Sequence, residues 1–370
     1  MKKIFEKAGI NNLEMSNRLV RSATWEGMCD PSGRPTPELI EFYTTLAKGK
    51  IGLIISGYTY ISPEGKQLPG KMGIHTDDFA DDFKRLTDKV HEHGGKIAIQ
   101  LVHAGGQADK KVSGHTPVAP SAVKAAQFPV IPAMMTQTDI ERVVTAFYDA
   151  CLRAKNYGFD GVQIHGAHGY LVNQFLSPLT NQRDDRYGGS IENRARFLFE
   201  VYHAMRSGVG DNFPVFIKLN GADYLDKGFE IEDALWVSKH LSNQGIDAIE
   251  VSSGTGASGV FTPVRTKITS PEKEAYNMEL ALRIKEQVSC PVMAVGGFRS
   301  LEIIQKCLEK DGIDFISMSR PLIREPNLPA RWENGDTNPA KCISCNKCFM
   351  PGLAKGGIYC VPQRAELKKA

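Results

Sequence analysis

Phe159-Asp-Gly-Val-Gln-Ile164, followed at once by His165-Gly-Ala-His168-Gly-Tyr170, is the stretch on which the fold turns. Its first half is a short apolar run that reads as a buried strand. Its second half sets two imidazoles and a phenol at the carboxyl end of that strand, within six residues. In a barrel of parallel strands, that end carries the chemistry. An imidazole can donate a hydrogen bond to an oxygen, and a phenol can deliver a proton. Seven further strands of the same kind give the run its weight.

Those strands are expected at Arg18–Ala23, Gly52–Thr59, Lys96–Val102, Val215–Asn220, Ala248–Ser252, Val292–Val295 and Phe315–Ser319, beside Gly161–His165. Each is short and rich in Ile, Val, Leu or Phe, as a strand covered on both faces should be. Breakers precede most of the later ones: Gly94-Gly95, Tyr157-Gly158, Phe213-Pro214, Gly245, Cys290-Pro291 and Gly312. Between them, Asp77–His93, Asp139–Asn156, Ser190–Ser207, Ile231–Asn243, Asn277–Val288 and Ser300–Glu309 carry apolar residues at helical spacing. Ser190 reads as an N-cap, with Glu192 in the first turn. The alternation predicts an α/β fold, a (β/α)8 TIM barrel, with an open doubly wound sheet as the rival. Ile4–Met15, with its Asn11-Asn12 turn, is expected to form an N-terminal hairpin plugging the barrel floor.

Composition agrees with a soluble globular protein: 42% hydrophobic and 24% charged residues supply both core and surface. A net charge of +3 gives no reason to expect nucleic acid or an acidic membrane surface as partner. No apolar run approaches the roughly 18 residues of a membrane span. The opening Met1-Lys-Lys-Ile-Phe-Glu lacks the apolar region of a signal peptide, so a cytoplasmic location is expected. Gly254-Thr-Gly256-Ala-Ser-Gly259 fits G-x-G-x-x-G, but Val260-Phe-Thr-Pro263 does not open a helix. It reads as a loop after the sixth strand rather than a dinucleotide fingerprint.

The run Asn181-Gln-Arg183-Asp-Asp-Arg186-Tyr187-Gly188-Gly189-Ser190-Ile-Glu192-Asn193-Arg194-Ala-Arg196-Phe197 follows closely on Tyr170. With it, Asn17-Arg18, Gln100 and Ala294-Val-Gly296-Gly297 fall at the expected strands. On these residues the chain resembles the Old Yellow Enzyme family of FMN-dependent ene-reductases. It is more closely similar to the branch of 2,4-dienoyl-CoA reductase and trimethylamine dehydrogenase. The resemblance covers about Phe5 to Cys360.

The resemblance implies FMN as cofactor and NAD(P)H as co-substrate. Gly296-Gly297 ends the seventh strand and lets backbone N–H groups approach an anion. Ser319-Arg320 ends the eighth, and a guanidinium grips phosphate bidentately. Both are also readable as plain strand-to-helix turns. Gln100 lies in an apolar strand, where an unpaired amide is costly. The resemblance sets it against the flavin pyrimidine edge, and a core amide bonded to backbone is the alternative. Lys218 would stabilise negative charge near N1 and O2 of reduced flavin, where many relatives carry arginine. Ser22, Ala23 and Thr24 would bond the isoalloxazine, while Trp25 and Tyr58 would shape the substrate wall. His165 and His168 would bind a carbonyl oxygen, with Tyr170 as proton donor to the α-carbon. A metal pair or core histidines are the alternatives there.

Cys29, Cys151, Cys290 and Cys307 are scattered, whereas Cys342, Cys345, Cys348 and Cys360 crowd the C-terminal region. In a reducing compartment such a cluster suggests metal rather than disulfides. In the branch named above a similar run holds a [4Fe–4S] cluster; zinc or free thiols remain open. The expected division is residues 1–335 as the FMN-binding barrel and 336–370 as a Cys-rich extension packed on it. Because the barrel sites lie elsewhere in sequence, the cysteines are expected to be independent of flavin binding. The larger relatives continue into a second nucleotide-binding region, so a separate electron-transfer subunit is the expected partner if the cysteines carry electrons. A homo-oligomer stays open. The function expected is hydride transfer from NAD(P)H through flavin N5 to the activated C=C of an α,β-unsaturated carbonyl compound. An amine dehydrogenase or demethylase, and a non-catalytic flavin or metal-binding protein, are the alternatives.

Overall fold

A computed structural model describes residues 3–124, 128, 130–354 and 356–368. Eight parallel strands close a barrel: Leu19–Arg21, Leu53–Ile55, Ile97–Val102, Gly161–Gly166, Val215–Asn220, Ile249–Ser252, Val292–Val295 and Phe315–Met318. Each pairs with the next in sequence, and the eighth returns to the first with Ile316 opposite Leu19. Closure excludes the open sheet. Seven strands lie within two residues of their expected bounds at each end. The second is shorter than Gly52–Thr59, and the chain re-enters the sheet as Thr59–Tyr60. The interruption has a cause: the Gly57 N–H donates to Glu26 Oε1 (3.1 Å) and the Tyr43 hydroxyl oxygen (3.0 Å) rather than to a ladder.

The hairpin forms as Ala8–Ile10 paired with Leu13–Met15. Asn11 takes a left-handed φ of 52° at its turn, and its amide donates to the Asp211 carbonyl (2.6 Å) and Asp247 Oδ1 (2.8 Å). Ile10, Leu13 and Met15 then pack against Val20, Leu53, Ala98, Phe216, Met293 and Phe315 inside the barrel. This closes the amino-terminal end of the barrel.

The outer helices largely follow the sequence, with two differences that bear on the site. Pro37–Lys48 was not expected; Thr36 caps it by accepting from Leu39 N–H, and proline stands in the first turn. The helix expected over Ser190–Ser207 divides at Ala195 into Ile191–Arg194 and Arg196–Val209. The break lets Arg194 turn inward, where it bonds the Gly189 carbonyl (3.1 Å), the Leu176 carbonyl and both oxygens of Asp233 (3.0 Å each). Ser190 occupies the N-cap position but caps no backbone N–H. Its hydroxyl bonds Glu192 instead, holding that carboxyl below its usual range.

The C-terminal segment returns over the carboxyl ends of the strands. Ile358 N–H donates to the Glu26 carbonyl (2.8 Å), and the Asn346 amide to the Val264 carbonyl (2.7 Å). Gly27, at φ 65°, is needed for this contact, since a Cβ there would lie 2.9 Å from Gly352 Cα. Among the described residues no helix is long and apolar enough to cross a membrane.

Candidate active site

The barrel mouth holds a cavity to which all eight strand ends contribute, the sixth through Ser252. Ser22, Ala23, Thr24, Trp25, Tyr58, Gln100, His165, His168, Tyr170, Lys218, Gly297, Ser319 and Arg320 line it. Of the barrel residues read from sequence, only Gly296 does not; its carbonyl accepts from Tyr276 N–H, behind the wall. The Gly254 motif runs into the short turn Gly259–Phe261, and no helix opens there.

The floor is one hydrogen-bonded chain whose polarity can be worked out. Glu250 is fully buried and paired with Lys218 at 3.3 Å. A carboxylate only accepts, so Gln163 must turn its NH2 toward it (Nε2 to Oε2, 2.8 Å). That leaves Gln163 Oε1 to accept from Gln100 Nε2 at 2.7 Å. Gln100 Oε1 is then a buried acceptor without a donor among the described residues. Ser22 Oγ donates to Glu250 Oε1 (2.7 Å) and accepts from Lys218 Nζ (2.8 Å). The Ser22 hydroxyl is therefore spent on the floor, and Lys218 shares its charge with a carboxylate that the sequence reading missed. Burial lowers the Lys218 pKa, and the neighbouring Glu250 opposes that shift. Thr24 Oγ1 and Ser319 Oγ bond each other at 2.5 Å.

One wall carries the two histidines and Tyr170. The His165 ring stands 4.7 Å from Tyr170 and 5.2 Å from His168, edge-on to both. His165 Nδ1 is buried without a partner among the described residues, whereas His168 Nε2 bonds Ser252 Oγ at 2.7 Å. Burial above all, with Lys218 acting in the same direction, holds both imidazoles well below the ordinary histidine value. Both are therefore neutral near pH 7. His168 has φ 63°, a strained position for a side chain of its size. The Tyr170 hydroxyl donates to Gln67 Oε1 at 2.9 Å, and burial raises its pKa. Tyr58 donates to the same oxygen at 2.5 Å.

The opposite end is cationic. Arg320 Nη1 donates to the Arg265 carbonyl (2.7 Å) and Asn346 Oδ1 (2.6 Å), beside Gly297 and Arg299 in the lining. Asn346 lies between Cys345 and Cys348, and Ser344, Phe349 and Leu353 also line the cavity. The cysteine segment is thus part of the same wall, which corrects the expected independence. Trp25 Nε1 is buried and has no partner among the described residues, with its ring against Gly352.

Cys342, Cys345, Cys348 and Cys360 line a small neighbouring cavity with Arg320 and Arg324. Among the described residues, however, no three His, Cys, Asp or Glu groups converge closely enough to hold a metal ion.

Gln163, Glu250, Gln67 and Asn346 escaped the sequence reading. Gln163 and Glu250 carried the signal that picked out Gln100, a polar residue inside an apolar strand.

Comparison with known proteins agrees with this geometry. Residues 3–338 match the NADH:flavin oxidoreductase / NADH oxidase family. The chain is 32% identical to an NADH oxidase of Thermoanaerobacter brockii over 99% of its own length and 58% of that protein. It is 37% identical to an NADPH dehydrogenase of Halalkalibacterium halodurans over 90% of its length and 96% of that protein. A 2-naphthoyl-CoA reductase in complex with 2-naphthoyl-CoA superposes with a TM-score of 0.89 at 27% identity, over 96% of this chain and 56% of that one. The chain thus spans little more than half of two of these proteins and nearly all of the third.

Proposed function

From the premise that the chain belongs to the NADH:flavin oxidoreductase / NADH oxidase family, we propose that it takes hydride from NAD(P)H and delivers it to the activated C=C of an α,β-unsaturated carbonyl compound. The observation that carries this reading is the cavity wall where His165, His168 and Tyr170 meet, above a floor that leaves the Gln100 acceptor unmet. When bound, FMN supplies the hydride carrier. Gln100 Oε1 would accept the N3–H of its pyrimidine edge, Lys218 would face the side where negative charge collects, and Gly297 and Arg320 would hold the phosphate. Ala23 and Thr24 would contact the isoalloxazine through their backbone. Trp25 and Tyr58 would border the substrate.

The neutral imidazoles act as hydrogen-bond donors to the carbonyl oxygen rather than as acids. His168 retains one nitrogen for this, the other being held by Ser252. Two donors on one oxygen polarise the alkene and hold the enolate that forms. Tyr170 stays protonated through the neutral range and is the acid for the α-carbon. The test is anaerobic turnover of purified holoprotein: NAD(P)H oxidation matched by loss of an enone double bond supports the reading, and flavin reduction with no enone consumed refutes it.

Arg320→Ala should weaken FMN retention by about 1.5–3 kcal/mol, roughly 10- to 150-fold in Kd, the value of one charge-assisted contact. Fluorescence titration of apoprotein with FMN measures this. Wild-type affinity in the variant would remove Arg320 from the phosphate site.

We read residues 336–370 as an extension of the 1–335 barrel. For its cysteines we propose the [4Fe–4S] cluster, with zinc as competitor. The shared cavity and the C-x2-C-x2-C-x11-C spacing support it, while the divergence of the side chains as placed speaks against it. Iron and sulfide analysis of anaerobically purified protein decides between them. Cys345→Ser should abolish that iron and also lower FMN affinity several-fold, because its neighbour Asn346 holds Arg320. Zinc, or no metal, would end the cluster reading.

A further inference from the structure

The wall behind Tyr170 contains a buried lysine that the chemistry above does not use. Lys71 is 1% exposed, and no carboxylate acts on it among the described residues. Its Nζ donates to Gln67 Oε1 at 2.9 Å and stands 2.8 Å from the Tyr58 ring centroid and 5.6 Å from that of Tyr170. Gln67 Oε1 already receives the hydroxyls of Tyr58 and Tyr170. An amide oxygen has two lone pairs, so three donors compete for one acceptor. Gln67 is itself fixed: Nε2 donates to Gln107 Oε1 (3.2 Å), and Gln107 Nε2 donates to the carbonyls of His168 (3.0 Å) and Gly169 (2.6 Å).

Two consequences follow from this arrangement. When the Tyr170 hydroxyl turns toward a ligand, Gln67 keeps two donors, so the hydroxyl leaves no orphaned acceptor. Once Tyr170 has lost its proton, a buried phenolate remains, and the amine sharing its anchor can become a cation. The titratable groups facing Lys71 are the Tyr58 and Tyr170 phenols and the His165 imidazole. Burial lowers the proton affinity of the amine and raises that of the phenol, so the resting pair is uncharged.

We propose that Lys71 is the counter-charge of the Tyr170 phenolate and the group through which Tyr170 regains its proton. The Tyr170 O–H bond breaks as a C–H bond forms at the α-carbon. Lys71 Nζ binds one proton from water, giving an ammonium beside a phenolate. Transfer of that proton restores phenol and amine, so each turnover consumes one solvent proton here and moves no electrons. Lys71 acts through Tyr170 and is a positioning residue. The proton's destination rests on the proposed ene-reduction; the pairing of the two groups does not.

The test compares Lys71→Met and Lys71→Arg in the holoprotein. Met replaces a buried amine on which no carboxylate acts among the described residues with an apolar chain of similar length, and Gln67 Oε1 keeps the Tyr58 and Tyr170 hydroxyls as donors, so the fold should persist. Ultraviolet titration of tyrosinate, with Tyr170→Phe subtracted, isolates Tyr170. The Arg variant should ionise Tyr170 at the lowest pH and the Met variant at the highest, about one pH unit or more apart. In stopped-flow, Met should slow the alkene half-reaction about tenfold, the rate equivalent of one pKa unit, and change its pH profile, while Arg recovers most of the loss. Identical Tyr170 titration in the Met and Arg variants overturns the proposal. A shifted titration in a protein that reduces no enone keeps the pairing and discards the ene-reduction.

Discussion

Tyr170→Phe is expected to slow alkene reduction by about 10²–10⁴, the range for loss of a general acid, and to leave flavin reduction by NAD(P)H nearly intact. The substitution keeps the ring that packs edge-on to His165 and removes only the hydroxyl. Gln67 Oε1 retains Tyr58 and Lys71 as donors, so the wall should hold its shape. Stopped-flow absorbance follows both half-reactions through the flavin band. Equal slowing of the two would indicate a disturbed pocket and sink the proton-donor role. Unchanged alkene reduction would hand the role to water or another acid.

Glu26→Gln should cost about 3–5 kcal/mol of stability, the effect of breaking one half of a buried ion pair. Arg21 and Glu26 pair at 2.7 Å, with side chains 1% and 6% exposed. The same Oε1 accepts from the Tyr43 hydroxyl (2.7 Å) and Gly57 N–H. Gln keeps the shape but leaves the Arg21 charge uncompensated beneath the first two strand ends. Urea unfolding at equilibrium measures the loss. A change below about 1 kcal/mol would mean that water or backbone carbonyls solvate Arg21 well enough to replace the carboxylate.

The barrel was legible because its determinants are local. Short apolar runs, most of the later ones set off by Gly or Pro, located all eight strands. The most family-specific run, Asn181 to Phe197, lines none of the cavity. Asn181 bonds the Phe175 and Tyr187 carbonyls (2.7 Å each), and Arg183 the Pro120 and Met135 carbonyls (2.9 and 2.7 Å). It is a clasp that fixes the loop after the fourth strand, so its specificity reports architecture rather than chemistry. Gln100 was found because a polar group in an apolar strand is conspicuous. Lys71 was not, since a lysine in a loop beside Pro69-Gly70 reads as solvated, and only the fold buries it. Asn346 was out of reach for another reason. Its contact with Arg320 joins segments whose meeting no local pattern encodes.

The hairpin that fills the barrel floor also sets how ligands share the interior. With Ile10, Leu13 and Met15 stopping the amino-terminal end, the cavity at the carboxyl ends of the strands is not entered through the barrel, so in the proposed reaction the nicotinamide donor and the unsaturated acceptor would share that one side and use it in turn. On the proposed function the first product would leave before the second reactant enters. Initial-rate plots at several fixed donor concentrations should therefore give parallel lines, and each reactant in excess should obstruct the other.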